Sequence, residues 1–244
     1  MKPVTLPNVP GVHRRPKLLP EPTVARLPIY QRIAEEFVRR GRDTVSSDDL
    51  GKLAGVSAAT VRRDLSSIGP FGTRGSGYDT SHLARRITEL LGGDTFHPTV
   101  IAGVGHLARA LMNSPLFGGR AARIVALYDV DPEVVGTIVN GIEVRRLAEE
   151  DVSRFASPPQ IGILTCPPAA AQEVADGLME LGISALMTFS PRVLRVPAGV
   201  VVRYVDVSIE LQILSYHLEH GRGPLSGGIF HNLGVSPVRV GSPN

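Results

Sequence analysis

The hexapeptide Gly103-Val104-Gly105-His106-Leu107-Ala108 reads G-x-G-x-x-A and follows directly on the apolar run Thr99-Val100-Ile101-Ala102. A buried strand that turns through glycines into a helix is the βα unit that cradles a dinucleotide pyrophosphate. Gly103 makes the tight turn, Gly105 lets the pyrophosphate approach the backbone, and Ala108 permits close helix–strand packing. The phosphates then sit at the N-terminus of the following helix. The fingerprint is a weak signal alone and gains its force from lying between strand and helix. A second strand, Ile124–Tyr128, ends at Asp129, 26 residues after Gly103 and slightly beyond the usual spacing of about 20. A carboxylate there accepts ribose hydroxyls and repels a 2′-phosphate, which favours NADH or NAD⁺ over their phosphorylated forms.

Apolar runs at Ile161–Thr165, Ala185–Phe189 and Val200–Val205 read as further strands, with a helix over Ala169–Leu181. Alternating strands and helices imply a parallel sheet with right-handed crossovers. Thr165-Cys166-Pro167 ends the third strand, and strand ends of this kind lie over the ligand crevice. Cys166 reads either as a nicotinamide neighbour or as a small buried apolar side chain. A last helix, Val207–His220, carries the stripe Val207, Leu211, Leu214 and Leu218 beyond the final core strand. That stripe needs a surface to cover it.

The segment before the fingerprint has a different character. Residues 1–86 hold 15 Lys and Arg against 8 Asp and Glu, while residues 87–244 hold 11 against 15. A basic first third suggests a polyanion partner for that part alone. Prolines dominate residues 1–25, read as a disordered arm. Helical signals start near Leu27-Pro28, with Ile29, Ile33, Phe37 and Val38 as an apolar stripe and Gly41 as a stop. Ser47 or its neighbour caps a short helix, Gly55 turns the chain, and Ser57 caps a helix over Ala58–Ile68. On that helix Val61, Leu65 and Ile68 face inward and Thr60, Arg62, Arg63 and Asp64 face outward, as a DNA-reading helix requires. The glycine-rich stretch 69–78 then suits a hairpin wing with Arg74 at its tip, flanked by Gly75 and Tyr78. A helix from about Ser81 to Leu91 leads into the second domain.

Other chemistries find little support. Cys166 is the one cysteine, so neither an intrachain disulfide nor a Cys-rich zinc site can form. No metal site is expected: His217 and His220 lack a partner cluster. No lysine follows Lys52, and no acid–base group stands out over the crevice, so catalysis is not expected. No apolar run reaches the roughly 18 residues of a membrane span, and Met1–Pro22 lacks a signal-peptide core. A cytoplasmic protein is expected.

The chain resembles the Rex family of redox-sensing transcriptional repressors over about residues 26–220. The carrying segments are Val61-Arg62-Arg63-Asp64-Leu65-Ser66, Gly72-Thr73-Arg74-Gly75-Ser76-Gly77-Tyr78, Gly103–Ala108, Tyr128-Asp129-Val130-Asp131, Thr188-Phe189-Ser190-Pro191 and Tyr204-Val205-Asp206. The resemblance implies an α/β chain: an N-terminal winged helix–turn–helix domain (26–92), a Rossmann-like parallel-sheet domain (93–206), a domain-swapped C-terminal helix (207–220) and a flexible tail (221–244). It implies a homodimer on palindromic double-stranded operator DNA of respiratory and fermentative genes. NADH releases such proteins from DNA and NAD⁺ opposes the release. By motif, DNA contacts fall on Ser57, Thr60, Arg62, Arg63, Arg74, Gly75 and Tyr78. Ligand contacts fall on Gly103, Val104, Gly105, His106, Leu107, Ala108, Asp129, Thr165, Cys166, Pro167 and Phe189. Arg32 and Asp206 match an inter-subunit polar switch. Departures are Thr60 for a common Gln, Arg63 for Lys, Ser114 for Tyr, Val134 for Lys and Cys166 for an aliphatic residue. The alternative is a Rossmann enzyme, a small dehydrogenase or a CoA-binding domain, with an incidental N-terminal extension.

Overall fold

The first helix starts earlier than its prolines suggest. In the computed structural model, which describes residues 18–70, 72–73, 77–93, 95–114, 122–150 and 152–220, α1 spans Glu21–Arg39 with Pro28 inside it. An interior proline costs about 3 kcal/mol. Packing upstream of it offsets that cost: Thr23 and Leu27 are buried, and Thr23 and Arg26 both donate to Asp64. The buried face runs through Leu27, Tyr30, Ile33, Ala34 and Phe37, whereas Val38, expected on the stripe, is exposed. Gly41, at φ +68°, ends the helix as expected.

The described residues divide into two compact units between Ile87 and Thr88. In the first, α1 is followed by β1 (Thr44–Val45), α2 (Ser47–Ala54), α3 (Ala58–Ile68), β2 (Gly72–Thr73), β3 (Gly77–Asp79) and α4 (Thr80–Leu90), whose end passes into the second unit. Gly55 adopts φ +70° between α2 and α3, the left-handed turn the motif needs. The strands form a small antiparallel sheet in the order β1-β3-β2, so the hairpin expected of a wing is present. Its tip, with Arg74 and Gly75, lies outside the described residues, as do most of the arm and the tail.

One placement corrects the sequence expectation. Asp64 does not face outward on α3 but is 2% exposed. Its carboxylate accepts from Thr23 Oγ1 at 2.9 Å, Tyr30 OH at 2.9 Å, and Arg26 Nε and Nη2 at 2.7 and 2.9 Å. Four donors from α1 thus clamp α3. The physical reason is periodicity: Val61, Asp64, Leu65 and Ile68 follow the i, i+3, i+4, i+7 spacing of one helix face, and all four are buried.

The second unit holds β4 (His97–Ala102), α5 (His106–Met112), β5 (Ala122–Tyr128), β6 (Ile138–Val139), β7 (Ile142–Arg145), β8 (Ile161–Leu164), α6 (Ala171–Glu180), β9 (Ala185–Thr188), β10 (Val201–Tyr204) and α7 (Val207–His220). The sheet order is β10-β9-β8-β4-β5-β7-β6, parallel except for β6 against β7. That hairpin, turning at Asn140-Gly141 with φ +50° and +80°, adds to the expected strands; Asn-Gly suits a tight hairpin turn of this kind. Side chains alternate along β4. Val100 and Ala102 pack with Tyr128, Leu164 and α6. Ile101 packs with Leu127, Ile163 and Ala108 of α5. Both sheet faces are therefore covered, as a parallel sheet requires.

Burial pushes the Asp64 carboxyl up, but the bonds from Arg26, Tyr30 and Thr23 outweigh it and hold the group below the usual carboxylate range. A depressed folded pKa stabilises fully above the unfolded value near ~3.9 and is lost as pH falls through the folded one. Asp64→Ala is expected to cost about 3–5 kcal/mol at neutral pH, since it strands a guanidinium against a buried face. Urea unfolding of the full chain measures this. The deficit should shrink as pH falls below ~4; a pH-independent deficit, or one under about 1 kcal/mol, contradicts the clamp.

Candidate functional site

The sheet reverses its direction of growth at β4. The chain passes from β4 to β5 on one side and later places β8 on the other. Loops leaving β4 and β8 therefore diverge at their carboxyl ends, which opens the crevice typical of such sheets. The fingerprint follows β4 into this crevice, and Thr165-Cys166-Pro167 follows β8.

Gly103 sits at φ +95°, where a Cβ would come within 2.7 Å of Cys166 N and 2.8 Å of the Thr165 carbonyl carbon. Its N–H donates to Tyr128 O at 2.8 Å, and its carbonyl accepts from Thr165 Oγ1 at 2.6 Å. A side chain here is excluded by both conformation and space. Gly105 differs: it is exposed, and a Cβ on it would meet nothing within 4 Å among the described residues. That space lies open for a group brought close to the backbone. Val104 and Ala108 are buried against the sheet, whereas His106 and Leu107 are exposed on α5.

Asp129 lies beside the fingerprint loop. Its Oδ2 accepts from Val104 N–H at 2.6 Å, and its Oδ1 accepts from Val130 and Asp131 N–H at 2.7 and 3.0 Å. An ionised carboxylate has about four acceptor positions, so one remains beyond these three bonds. Cys166 is half-buried; burial pushes its thiol up, and the nearby Asp129 charge pushes the same way. Both effects disfavour the thiolate, in keeping with a compact apolar side chain. Pro167 is exposed. Phe189 follows β9, donates its N–H to Leu164 O at 3.1 Å, and packs on the Ile101 side of the sheet. Val134 packs on that same cluster. The fingerprint, Asp129 and the Thr165–Cys166 strand end are thus brought together.

In the first unit, Ser57 Oγ accepts Thr60 N–H at 3.1 Å and lies 2.8 Å from Thr60 Oγ1. Arg62 and Arg63 are exposed on α3. Arg62 Nη1 donates to Ser47 Oγ of α2 at 2.9 Å, a contact no local sequence pattern announces. Tyr78 on β3 is half-buried; burial raises its phenol, and the Arg62 charge opposes that rise. Arg32 is exposed on α1. Asp206 precedes α7 and accepts Ser208 Oγ–H at 2.6 Å and Ser208 N–H at 2.8 Å, which hold its carboxyl below the usual range. None of the 14 residues of α7 is buried; Val207 is 64% exposed and Leu218 84%. Among the described residues no helix is long and apolar enough to cross a membrane, and no group of three or more His, Cys, Asp or Glu is placed to hold a metal ion.

Two family models match in the same order as the two units: the putative DNA-binding protein N-terminus over residues 18–66 and the CoA binding domain over residues 95–192. A Streptomyces griseus protein named redox-sensing transcriptional repressor Rex is 43% identical over 228 residues, spanning 93% of this chain and 88% of that protein. The Desulfitobacterium hafniense protein of that name is 39% identical over 82% of this chain and 95% of its own length. Crystal structures of RSP, a Rex-family repressor, superpose with a TM-score of 0.75. One holds NAD⁺ and operator DNA, at 33% identity over 83% of this chain and 94% of that one. Another holds NADH, at 31% identity over 83% and 95%. With relatives of this identity aligned along most of its length, the chain belongs to the Rex family of redox-sensing transcriptional repressors.

Proposed function

We propose that this chain is a dimeric transcriptional repressor that binds palindromic operator DNA and leaves it when NADH is bound, so that it responds to the NADH/NAD⁺ ratio. The observation that carries the reading is one chain holding both an arginine-bearing α3 clamped by Asp64 and a crevice with open space at Gly105 beside Asp129. In this reading Ser57, Thr60, Arg62, Arg63 and the hairpin bearing Arg74, Gly75 and Tyr78 meet DNA. Arginines supply the phosphate and base-edge donors such a surface needs.

The dinucleotide would lie on Gly103–Ala108, with the pyrophosphate against Gly105 and the adenosine ribose against the remaining acceptor position of Asp129. Thr165, Cys166, Pro167 and Phe189 would border the nicotinamide, whose redox state changes the ligand's charge. Arg32 and Asp206 would form a switch between subunits. A ligand can shift the protein between DNA-competent and DNA-released arrangements only by binding them with different affinity. Regulation rather than catalysis is the activity proposed, in the cytoplasm. The CoA-binding match over residues 95–192 motivates a second reading, a CoA-dependent enzyme domain, and this predicts CoA affinity with no duplex affinity.

A gel-shift on a palindromic AT-rich duplex separates the two. Retention by the full chain should fall with added NADH, and NAD⁺ should oppose the fall. In calorimetry NADPH should bind at least about tenfold more weakly than NADH, because its extra phosphate meets the Asp129 carboxylate. No retention of the duplex, with CoA bound instead, would sink the repressor reading, and retention that ignores NADH would sink the NADH response.

The two fingerprint glycines should part ways on substitution. Gly103→Ala forces a Cβ onto the Thr165–Cys166 backbone and is expected to lower stability by about 1–3 kcal/mol. Gly105→Ala meets nothing and should unfold like wild type while losing NADH affinity. Equal thermal midpoints for the two variants would count against the close approach at Gly103. Undiminished NADH binding by Gly105→Ala would count against the pyrophosphate position.

The bare apolar helix α7 is proposed to dock on a second copy of the chain, swapped between subunits. A chain ending at Val205 should elute as a monomer or a weakened dimer and lose NADH-dependent release. If it stays dimeric and still lets go of DNA with NADH, α7 is neither clasp nor switch.

A further inference from the structure

α2 opens with two consecutive serines, and only the first caps it. Ser46 Oγ accepts Asp49 N–H at 3.0 Å and donates to Asp49 Oδ2 at 2.9 Å. The second serine faces a different partner: Ser47 Oγ accepts Arg62 Nη1 at 2.9 Å from α3, 15 residues on. Arg62 is exposed, and an exposed arginine ordinarily spreads over many rotamers, which must be frozen when it binds. Here one N–H of its planar fork is already engaged. The Arg62 charge also reaches Tyr78 of β3, where it opposes the rise of the phenol.

We propose that Ser47 is a positioning residue for DNA reading: it presets the Arg62 guanidinium through Nη1 and leaves the remaining donors of the fork aimed at a base edge. The inference rests on the DNA-reading role proposed above for α3. An arginine has five N–H donors, so one bond to Ser47 still leaves a bidentate pair for a guanine. The hydroxyl is suited to this duty because it is neutral. A carboxylate at the same place would compete with DNA for the cation, whereas a serine holds it at modest strength.

The test uses the full chain and a palindromic duplex enriched from a randomised pool by the wild-type protein. Binding is followed by fluorescence anisotropy for Ser47→Ala, Ser47→Thr, Arg62→Ala and the double variant Ser47→Ala/Arg62→Ala. Ser47→Ala should weaken binding roughly two- to tenfold, the range for ordering one flexible side chain, with an unchanged thermal midpoint. Ser47→Thr, which keeps the hydroxyl, should restore affinity. In the Arg62→Ala background, removing Ser47 should cost nothing further, since the two act as one unit. An equal loss in both backgrounds, no loss in either, or a fall in thermal midpoint with Ser47→Ala overturns the positioning role and leaves α3 as the reading helix. Wild-type affinity in Arg62→Ala overturns the α3 surface itself, and Ser47 with it.

Discussion

The nucleotide crevice depends on how closely two stretches of backbone meet. Gly103 is bonded to Tyr128 O on one side and to Thr165 Oγ1 on the other. One residue thereby ties the ends of β4, β5 and β8, with no space for a Cβ between them. Asp129 adds a third tie by accepting Val104 N–H. The loop is consequently set by contacts internal to the chain. A loop ordered in advance loses less entropy when a ligand arrives. The two glycines of the fingerprint differ accordingly: Gly103 is required by the protein's own packing, whereas Gly105 is the position where the proposed ligand would approach.

The first unit divides α3 into a buried face and an exposed one. Toward α1, the Asp64 carboxylate is buried and satisfied by three side chains. An ionised group so placed is tolerated only because every donor is in position, and it penalises any other seating of α3. Toward solvent, Arg62 and Arg63 remain exposed. Ser57 and Thr60 bind each other at the start of the helix. A surface presented to DNA from a rigidly seated helix keeps its donors in register with a groove. In the proposed reading the inward ion pair therefore serves DNA contact as well as stability.

At the other end of the chain, α7 is a helix with apolar residues on several sides and no buried residue. An exposed apolar surface of this extent marks an interaction site more often than a finished exterior. Its N-cap is made locally, by Asp206 with Ser208, but a helix of this length is marginal in water without a surface to pack on. A covering surface from another subunit, as in the proposed dimer, would supply that packing.

Much of this was legible from residue order. The G-x-G-x-x-A loop between an apolar strand and a helix, the Ser57 cap, the Gly55 turn and the bounds of α3 and α7 all follow from local chemistry within a few residues. Local rules also set their limits. Pro28 marks a helix start by propensity, yet α1 begins at Glu21 because Thr23, Arg26 and Leu27 are held from outside the segment. Asp64 carries the charge of a surface residue, and its inward position was written only in the spacing of its neighbours. The pairing of Ser47 with Arg62, the Val104 N–H on Asp129, and the packing of Gly103 on Thr165–Cys166 join residues 15 to 63 positions apart. The sequence by itself determined the fingerprint turn, α3, α7 and the strands β4, β5, β8, β9 and β10, because those depend on side-chain periodicity and glycine placement over short range. Only the tertiary structure decided which polar groups meet across elements, because such a bond depends on how two separately formed helices or strands are packed.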